Sequence, residues 1–457
     1  MKKILLLATS LLFVFFVNAQ VSKTVNISAG GLSAALTITE FTSVTNLTIT
    51  GSIDARDFKC MRDGITNLAV LDISAAKIET YSGNGGTSTY TSYSANEIPA
   101  ESFWGCSNLT SVNIGDSVTS IGNRAFGKTG LTNMKISKSV TTIGEYTFVQ
   151  CSNLNSLTIG DSVTSIGNNA FYACYSLTNI KIPNSVTSIG EGAFSECTGL
   201  ISVTIGDSDN SIGNISIGER AFYACHSLNS VTIGNAVTSI GRMAFYYCNR
   251  LSSITMGNFV RSIGSSAFAC CSSLTSITIP NSVLLIDNSA FNCCTSLKSV
   301  TIGNSVATIG DYAFANCTGL RSLYVNVITP CFLGTGVFAS INVYVCYLYV
   351  PSGSKNAYQN ASQWGDFFNI VEMSPTALHA LASESAKIYP NPVTDGFLID
   401  GLDTASILTL TDLGGKIVLT KQVIANEYVN INFLPKGVYI ARITTPKGLI
   451  EKKIIKD

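Results

Sequence analysis

A phenylalanine recurs through the middle of the chain at a nearly constant spacing, and this period constrains the fold more than any other feature. Most successive members are 23 residues apart, one step is 22 residues and one is 28. The ten positions are Phe103, Phe126, Phe148, Phe171, Phe194, Phe222, Phe245, Phe268, Phe291 and Phe314, with a degenerate eleventh unit near Phe338. A fixed period of this length indicates one architecture of stacked units, although 457 residues would otherwise suggest about three domains.

Each unit combines a short alternating segment, turn residues and a closing aromatic. In one unit, Ile180 and Ile182 alternate with polar residues, which predicts a short strand with one buried face. Gly190 predicts a turn, and Ala193 with Phe194 predicts a short helical turn that closes the coil. A single unit cannot bury its apolar side alone, so neighbouring units are expected to stack around a continuous core.

The shared pattern Leu-x-x-Ile-x-Ile-x-x-Ser-Val-x-x-Ile-Gly-x-x-Ala-Phe-x-x-Cys resembles the BspA-like leucine-rich repeat family over residues 99–345. The resemblance implies a repeat solenoid with short parallel strands and about ten 23-residue coils. Residues 20–98, with a strand-like Leu47–Gly51 and an irregular coil at Leu68–Ile78, resemble an N-terminal cap. Residues 346–373 resemble the closing segment, in which Tyr358, Trp364, Phe367 and Phe368 are expected to plug the last coil.

Cysteines form a ladder within the repeats. Nine of them lie three residues after the repeat phenylalanine, and the shortened second repeat has Thr129 there; the nine are Cys106, Cys151, Cys174, Cys197, Cys225, Cys248, Cys271, Cys294 and Cys317. This inward position favours buried free thiols, while disulfides between stacked neighbours remain an alternative. The adjacent pairs Cys270–Cys271 and Cys293–Cys294 lack the spacing of a zinc site, so no metal is predicted.

The N-terminus and the charge balance bear on the compartment. Lys2 and Lys3, an apolar run from Ile4 to Val17 and small residues at Asn18 and Ala19 predict a signal peptide at 1–19. Nothing comparable follows, so we predict no transmembrane segment after signal cleavage. The chain has 28 basic and 28 acidic residues, and this balance indicates no nucleic-acid partner.

The period ends before a second domain. Residues 374–385 form a Ser/Ala-rich linker, and residues 386–457 have the turns and short apolar runs of an all-β sandwich. The strand-like runs are Ile407–Thr411, Ile417–Thr420, Tyr428–Phe433, Val438–Ile443 and Leu449–Ile455.

Three motifs in this domain resemble the type A C-terminal sorting domain of type IX secretion. They contain Tyr389, Pro390, Asn391 and Pro392, then Gly437 and Tyr439, then Lys452 and Lys453. The resemblance implies that the secretion machinery is a partner and that the protein is displayed on the outer face of the outer membrane or released. An ordinary adhesive sandwich is the alternative.

The sequence predicts a binding protein rather than an enzyme. The two histidines are His226 and His379, and no nucleophile elbow, phosphate loop or metalloprotease motif accompanies them, so we assign no catalytic residue and no cofactor. The outward strand positions form a hydroxyl-rich face, for example Ser156 with Thr158, which is also typical of any solvated strand.

A second surface follows the phenylalanines in the middle repeats. The aromatic residues there are Tyr172, Tyr175, Tyr223, His226, Tyr246 and Tyr247, beside a repeat lengthened by Ser208–Ser216. Exposed aromatic clusters are typical of recognition surfaces, although tyrosines also pack between coils as structure. The resemblance to the BspA-like family implies an adhesin for host, matrix or other-cell proteins; a glycan-capturing protein and a surface coat without a specific ligand are the alternatives.

Overall fold

The computed structural model describes residues 20–206, 214–373, 387–402, 406–412, 416–424, 427–445 and 448–457. The predicted signal peptide at 1–19, the linker at 374–385, His379 and most of the added segment in the lengthened repeat lie outside these residues. Contacts divide the chain into two compact units. One covers Met1–Tyr324 with Cys331–Cys346, and the other covers Val325–Pro330 with Tyr347–Asp457.

The first unit is a solenoid with a row of parallel strands, the first strand row. Its members are Ser22–Ile27, Asn46–Ile53, Val70–Ile78, Ser111–Asn113, Asn133–Lys135, Ser156–Thr158, Asn179–Ile182, Ser202–Ile205, Ser230–Ile233, Ser253–Met256, Ser276–Ile279, Ser299–Ile302 and Ser322–Val325. Equivalent residues pair in register, as Ser202 does with Asn179 and with Ser230. The strand predicted from the alternation of Ile180 and Ile182 is confirmed.

A second strand row, which the sequence analysis did not predict, crosses the Val-x-x-Ile part of every repeat. Its eleven strands follow chain order in one parallel sheet. They are Glu97–Ile98, Ser120–Ile121, Thr142–Ile143, Ser165–Ile166, Ser188–Ile189, Ile215–Ile217, Val237–Ile240, Ser262–Ile263, Leu285–Ile286, Thr308–Ile309 and Phe332–Leu333. The inward isoleucines of this row, such as Ile189, are buried.

The phenylalanine segment closes each coil by turns, so the helical turn predicted at Ala193 and Phe194 is wrong. Residues two before and two after the phenylalanine have left-handed backbone angles, as in Arg124 (φ 56°) and Lys128 (φ 58°) around Phe126. This backbone directs the N–H groups of all three residues toward the next coil, where Phe126 N donates to Thr147 O at 2.9 Å. A helical turn would direct those groups along its own axis instead.

The N-terminal residues contribute coils of their own. The predicted irregular coil at Leu68–Ile78 is largely the regular strand Val70–Ile78, which pairs in parallel with Asn46–Ile53. Short helices alternate with these strands at Leu32–Ala35, Ile38–Ser43 and Ala55–Gly64. Asp57, in the last of these helices, accepts hydrogen bonds from the N–H groups of Gly30 (2.6 Å) and Leu32 (2.9 Å), so its carboxylate ties successive coils together. A hairpin of Tyr81–Ser82 with Ser92–Tyr93 follows.

A stack of phenylalanine rings fills the core of the solenoid. Neighbouring rings from Phe103 to Phe314 lie nearly parallel, with centroids 5.0 to 5.4 Å apart. Phe58 closes the N-terminal end of the stack, edge-on to Phe103 at 5.9 Å. Since one ring comes from each coil, the stack fixes the register of the coils as well as burying apolar area.

The cysteine ladder lies beside the ring stack. All the cysteines of the chain are free thiols in the structure; Cys106 is only partly buried, whereas the ladder members from Cys151 onward are buried as predicted. Each of these thiols donates to the carbonyl of the phenylalanine in the preceding coil, as Cys174 Sγ does to Phe148 O at 3.2 Å. Burial raises the pKa of Cys151 to about 11 and that of Cys248 to about 12. Thr129 fills the same position with a hydroxyl that donates to Phe126 O at 2.8 Å.

The second unit contains two substructures. In the first, the parallel strands Tyr347–Pro351 and Asn369–Met373 flank the helix Lys355–Gln359. Tyr358 and Trp364 are buried there with rings 5.3 Å apart, and Tyr358 Oη donates to Val327 O at 2.7 Å. Phe368 was expected to be buried with them, but it is 76% exposed, since it lies at a bend before the strand Asn369–Met373 while the preceding Phe367 is buried.

The second substructure is the predicted all-β sandwich. One antiparallel sheet contains Lys387–Tyr389, Gly396–Asp400 and Tyr428–Asn430; the other contains Ser406–Asp412, Ile417–Val423, Gly437–Thr445 and Gly448–Lys456. Phe397, Leu410 and Ile454 are among the residues of the apolar core that both sheets enclose.

Candidate functional site

The three motifs of the predicted sorting site meet at the last strand of the sandwich. The Asn391 side chain spans two backbone groups of that strand: its amide donates to Lys453 O at 2.7 Å, and its oxygen accepts from Ile455 N at 2.9 Å. The strand that begins at Gly437 pairs with the same segment, where Tyr439 is opposite Ile454. Motifs far apart in the sequence therefore form one continuous structure.

The sorting site has a buried support and an exposed rim. Tyr439 is buried, and its hydroxyl donates to Pro435 O at 2.8 Å, which fixes the turn before the strand. Tyr389, Pro390 and Lys453 are exposed, so an aromatic ring, a proline and a cation are presented at one edge of the sandwich.

Four of the six aromatic residues singled out on the solenoid form one group, the tyrosine cluster: Tyr223, His226, Tyr246 and Tyr247. The rings of Tyr223 and Tyr246 stack at 5.7 Å, and Tyr247 lies edge-on to Tyr246 at 4.3 Å. His226 Nδ1 lies 3.1 Å from Tyr247 O. Burial and a hydrogen bond with Tyr247 raise the pKa of Tyr246 to about 12, so this phenol stays neutral at physiological pH.

The tyrosine cluster combines a fixed base with an accessible edge. Tyr223 and Tyr246 are half-buried, whereas Tyr247 is 41% exposed. Tyr247 also has a left-handed backbone (φ 61°) whose N–H donates to Ala269 O at 3.1 Å, so its main chain is held by the next coil. Aromatic rings with little freedom to lose are well suited to recognition of another protein.

Tyr172 and Tyr175 form a separate pair on an earlier coil. Backbone hydrogen bonds place Ser195 and Glu196 on the coil between this pair and Tyr223: Ala173 N donates to Ser195 O, and Glu196 N donates to Tyr223 O. Burial and a hydrogen bond with Glu196 raise the pKa of Tyr172 to about 12, while Tyr175 is 45% exposed. The expected single aromatic surface is thus two groups separated by a coil with a serine and a glutamate.

The hydroxyl-rich face lies along the first strand row as predicted. Its positions face outward and pair between coils, as in Thr204 with Thr232, and Ser202 Oγ donates to Asn179 Oδ1 at 2.6 Å. Neighbouring side chains therefore satisfy part of one another's hydrogen-bonding capacity. The face is mostly hydroxyl, with Lys135 and Lys181 as exposed charged members.

A cleft at the N-terminal end of the repeats was missed by the sequence analysis. The loop of the hairpin Tyr81–Tyr93 places Tyr90, 55% exposed, opposite side chains of the first coils. There the Arg124 guanidinium lies over the Tyr146 ring at 5.6 Å and 3.4 Å from the Glu101 carboxylate. The only signal in the sequence was the tyrosine-rich, Gly/Ser/Thr-rich stretch before the repeats, which has no periodicity.

Two further features are absent from the described residues. Within the described residues, no group of three or more His, Cys, Asp or Glu side chains is arranged to hold a metal ion. The helices in the described part of the chain are also too short or too polar to cross a membrane.

Comparison with known families agrees with this arrangement. The family model described as the BspA type leucine rich repeat region matches residues 96–216 and 215–342, which together are more than half of the chain. The chain belongs to the BspA type leucine-rich repeat family. The model described as the secretion system C-terminal sorting domain matches residues 387–457. This BspA type protein therefore carries a type IX sorting domain, and it is secreted or attached to the outer-membrane surface.

Several solved structures are similar to this BspA type protein. A leucine-rich repeat protein from Bacteroides ovatus is 23% identical, over 68% of this chain and 88% of that one, with a TM-score of 0.35. A leucine-rich cell surface protein from Faecalibacterium prausnitzii is 29% identical, over 66% and 82%, with a TM-score of 0.33. The pneumococcal vaccine antigen PcpA is 19% identical, over 72% and 80%, with a TM-score of 0.37. Comparison with curated proteins finds no match.

Proposed function

We propose that this surface protein is an adhesin that binds an extracellular protein of a host, a matrix or another cell through the tyrosine cluster. The observation that carries the proposal is the arrangement of Tyr223, Tyr246 and Tyr247, in which two stacked rings support a third, exposed ring. Tyrosine is enriched among the residues that contribute most to protein interfaces. The phenol hydroxyls supply polar contacts without the desolvation cost of a formal charge.

The solenoid supports this proposal by keeping the cluster rigid. The backbone of each cluster residue continues into a coil held by the ring stack, whose members Phe222 and Phe245 lie 5.1 Å apart beneath Tyr223 and Tyr246. A binding surface that is already ordered loses little conformational entropy when its partner arrives. Tyr172 and Tyr175 supply a second, smaller contact region for a partner that spans several coils.

The test begins with the full secreted protein and an array of extracellular-matrix proteins, mucins and polysaccharides. We expect saturable binding to a protein that free glycans do not compete away. Tyr223→Ala with Tyr246→Ala should then weaken binding at least about 30-fold, the loss typical of a residue that dominates an interface. Tyr312→Ala is the matched control, because Tyr312 is also an exposed tyrosine of the solenoid but lies at another repeat position. Native affinity in the double variant would refute the proposal, and no saturable binding would favour a surface coat.

The cleft favours glycan capture as a second candidate function. An exposed ring at Tyr90 and a second ring at Tyr146 flank the ion pair of Arg124 with Glu101, so the cleft offers both apolar ring faces and hydrogen-bonding groups. Binding pockets commonly combine aromatic walls with a few fixed polar groups. If the array yields a polysaccharide, Tyr90→Ala should abolish its binding while the tyrosine-cluster variant retains it. Polysaccharide binding that survives in Tyr90→Ala but is lost in the tyrosine-cluster variant would exclude the cleft as the glycan site.

A further inference from the structure

Two cysteines lie outside the buried ladder, at the same place in successive coils. Cys270 and Cys293 each follow the ring-stack phenylalanine by two residues, and both have left-handed backbone angles, φ 61° and φ 60°. Unlike the neighbouring ladder residues Cys271 and Cys294, both are partly exposed. Their location in the fold therefore makes them accessible to chemistry that the ladder thiols do not meet.

The geometry places the two thiols side by side. Cys270 N donates to Asn292 O at 2.8 Å, which holds the two coils together at this point of the turn. The coils are separated here by about the 5.4 Å between the ring centroids of Phe268 and Phe291. Disulfide-bonded cysteines have Cα atoms about 4.4 to 6.8 Å apart, and a coil spacing of this size falls within that range. The two thiols are close enough to interact electrostatically, and the Cys293 thiol donates to Asn292 Oδ1 at 3.3 Å.

We propose that Cys270 and Cys293 form a disulfide that bridges two successive coils of the exported protein. The sorting domain marks the chain for secretion or display at the outer-membrane surface, and disulfides form and persist in the periplasm and at the cell surface. The oxidant is a disulfide donor, such as an oxidised thiol oxidoreductase or glutathione disulfide.

The exchange balances in two steps. One cysteine thiolate attacks the donor disulfide, which breaks the donor S–S bond and forms a mixed disulfide. The second thiolate then attacks the cysteine sulfur of that mixed disulfide and releases the donor in its reduced form. The two electrons and the two thiol protons pass to the donor sulfurs, and the protein gains one S–S bond.

The ladder thiols are unsuited to the same reaction. Cys271 and Cys294 are fully buried, and their thiols donate to Phe245 O at 3.4 Å and to Phe268 O at 3.2 Å. A donor disulfide cannot reach them in the folded chain. Burial raises the pKa of Cys270 as well, but it raises the pKa of both ladder thiols well above the ordinary range, so the reactive thiolate is most disfavoured in the ladder. The bridge is therefore specific to the outer pair.

The test is disulfide mapping of the full chain recovered from secreting cells. The protein is denatured, alkylated without reduction and cleaved with chymotrypsin, which cuts after Phe268, Leu274 and Phe291 and so separates the two cysteine-containing segments. We expect the segments to remain linked, and two fewer free thiols than the fourteen cysteines of the sequence. Mass-spectrometric cleavage of the backbone between Cys270 and Cys271 shows which of these two cysteines carries the bridge. This assignment uses the native protein and requires no variant.

Two double variants supply the controls. Cys270→Ser with Cys293→Ser should remove the link; serine is tolerated at this backbone position, as Ser340 shows at φ 65°. Cys271→Ala with Cys294→Ala should keep the link. Full alkylation of Cys270 and Cys293 in the native protein, or a link that persists in the serine variant, would overturn the proposal.

Discussion

The ring stack makes a quantitative prediction at Phe148, a core residue far along the chain from the tyrosine cluster. Phe148 is fully buried, and its ring stacks on Phe126 at 5.3 Å and on Phe171 at 5.1 Å. Phe148→Ala removes both stacks and leaves a cavity that the neighbouring coils cannot fill, because their rings are held by their own neighbours. We expect the free energy of unfolding to fall by about 3 to 5 kcal/mol.

A leucine at the same position separates ring stacking from apolar burial. Phe148→Leu keeps most of the buried area and loses two stacking contacts, each contributing about 0.5 to 1.5 kcal/mol, so its cost should be about 1 to 3 kcal/mol. Denaturant unfolding followed by far-UV circular dichroism gives both values, provided that the slope of the transition is unchanged. An alanine variant within about 1 kcal/mol of the native protein would refute the view that the stack fixes the coils.

Three further outcomes follow from shifted pKa values. A hydrogen bond from Lys23 lowers the pKa of Glu40 to about 2, so the stabilisation by the Glu40 carboxylate is present above the ordinary carboxyl pKa and is lost as the pH falls through about 2. Glu40→Gln should therefore flatten the dependence of the free energy of unfolding on pH between about pH 5 and pH 2. The same pH dependence in the variant and the native protein would contradict this. Burial keeps Cys151 and Cys248 protonated, so iodoacetamide at pH 8 should modify them only after unfolding, and modification in the folded protein would show that the ladder is open. The Tyr172 phenol should ionise near pH 12 in a spectrophotometric titration, and ionisation near its ordinary pKa would exclude the contact with Glu196.

The repeat core was predictable because every coil contains the same pattern of apolar residues. A residue such as Phe194 or Cys197 has equivalents in the coils on both sides, and only an inward position tolerates these residue types throughout the stack. The sorting motifs were also visible, although their meeting through Asn391 was not, since a side chain that bridges backbone groups leaves no periodic trace.

The turn conformation and the N-terminal coils were not predictable from the same signals. Left-handed positions carry Arg124, Lys128 and Tyr247 where glycine would have marked them, because hydrogen bonds to the next coil compensate for the backbone strain. The strands at 22–27, 46–53 and 70–78 build coils without the phenylalanine and cysteine signature, so the period alone does not reveal them.

The separation of the aromatic residues into two groups is visible in the sequence when equivalent positions of successive repeats are compared. Ser195 occupies the repeat position of Tyr172 and Tyr223, directly after the stacked phenylalanine. The cleft differs, since it depends on where a non-repetitive loop places Tyr90. Such a placement is decided by tertiary contacts rather than by local pattern.

The inter-coil hydrogen bonds of the phenylalanine turns give the solenoid a polarity that an ordinary strand edge lacks. In each hydrogen bond that joins two coils along this line, the N–H points to the following coil and the carbonyl to the preceding one, so the two ends are chemically opposite. Two copies cannot join like ends through this line, because carbonyl would face carbonyl; only head-to-tail contact is complementary, and that geometry leads to open chains rather than closed dimers. At the N-terminal end of this line, where carbonyl groups point away from the repeats, the Thr87 hydroxyl donates to Ala100 O at 2.5 Å. One threonine thus helps to keep a self-similar molecule from being extended by its own copies.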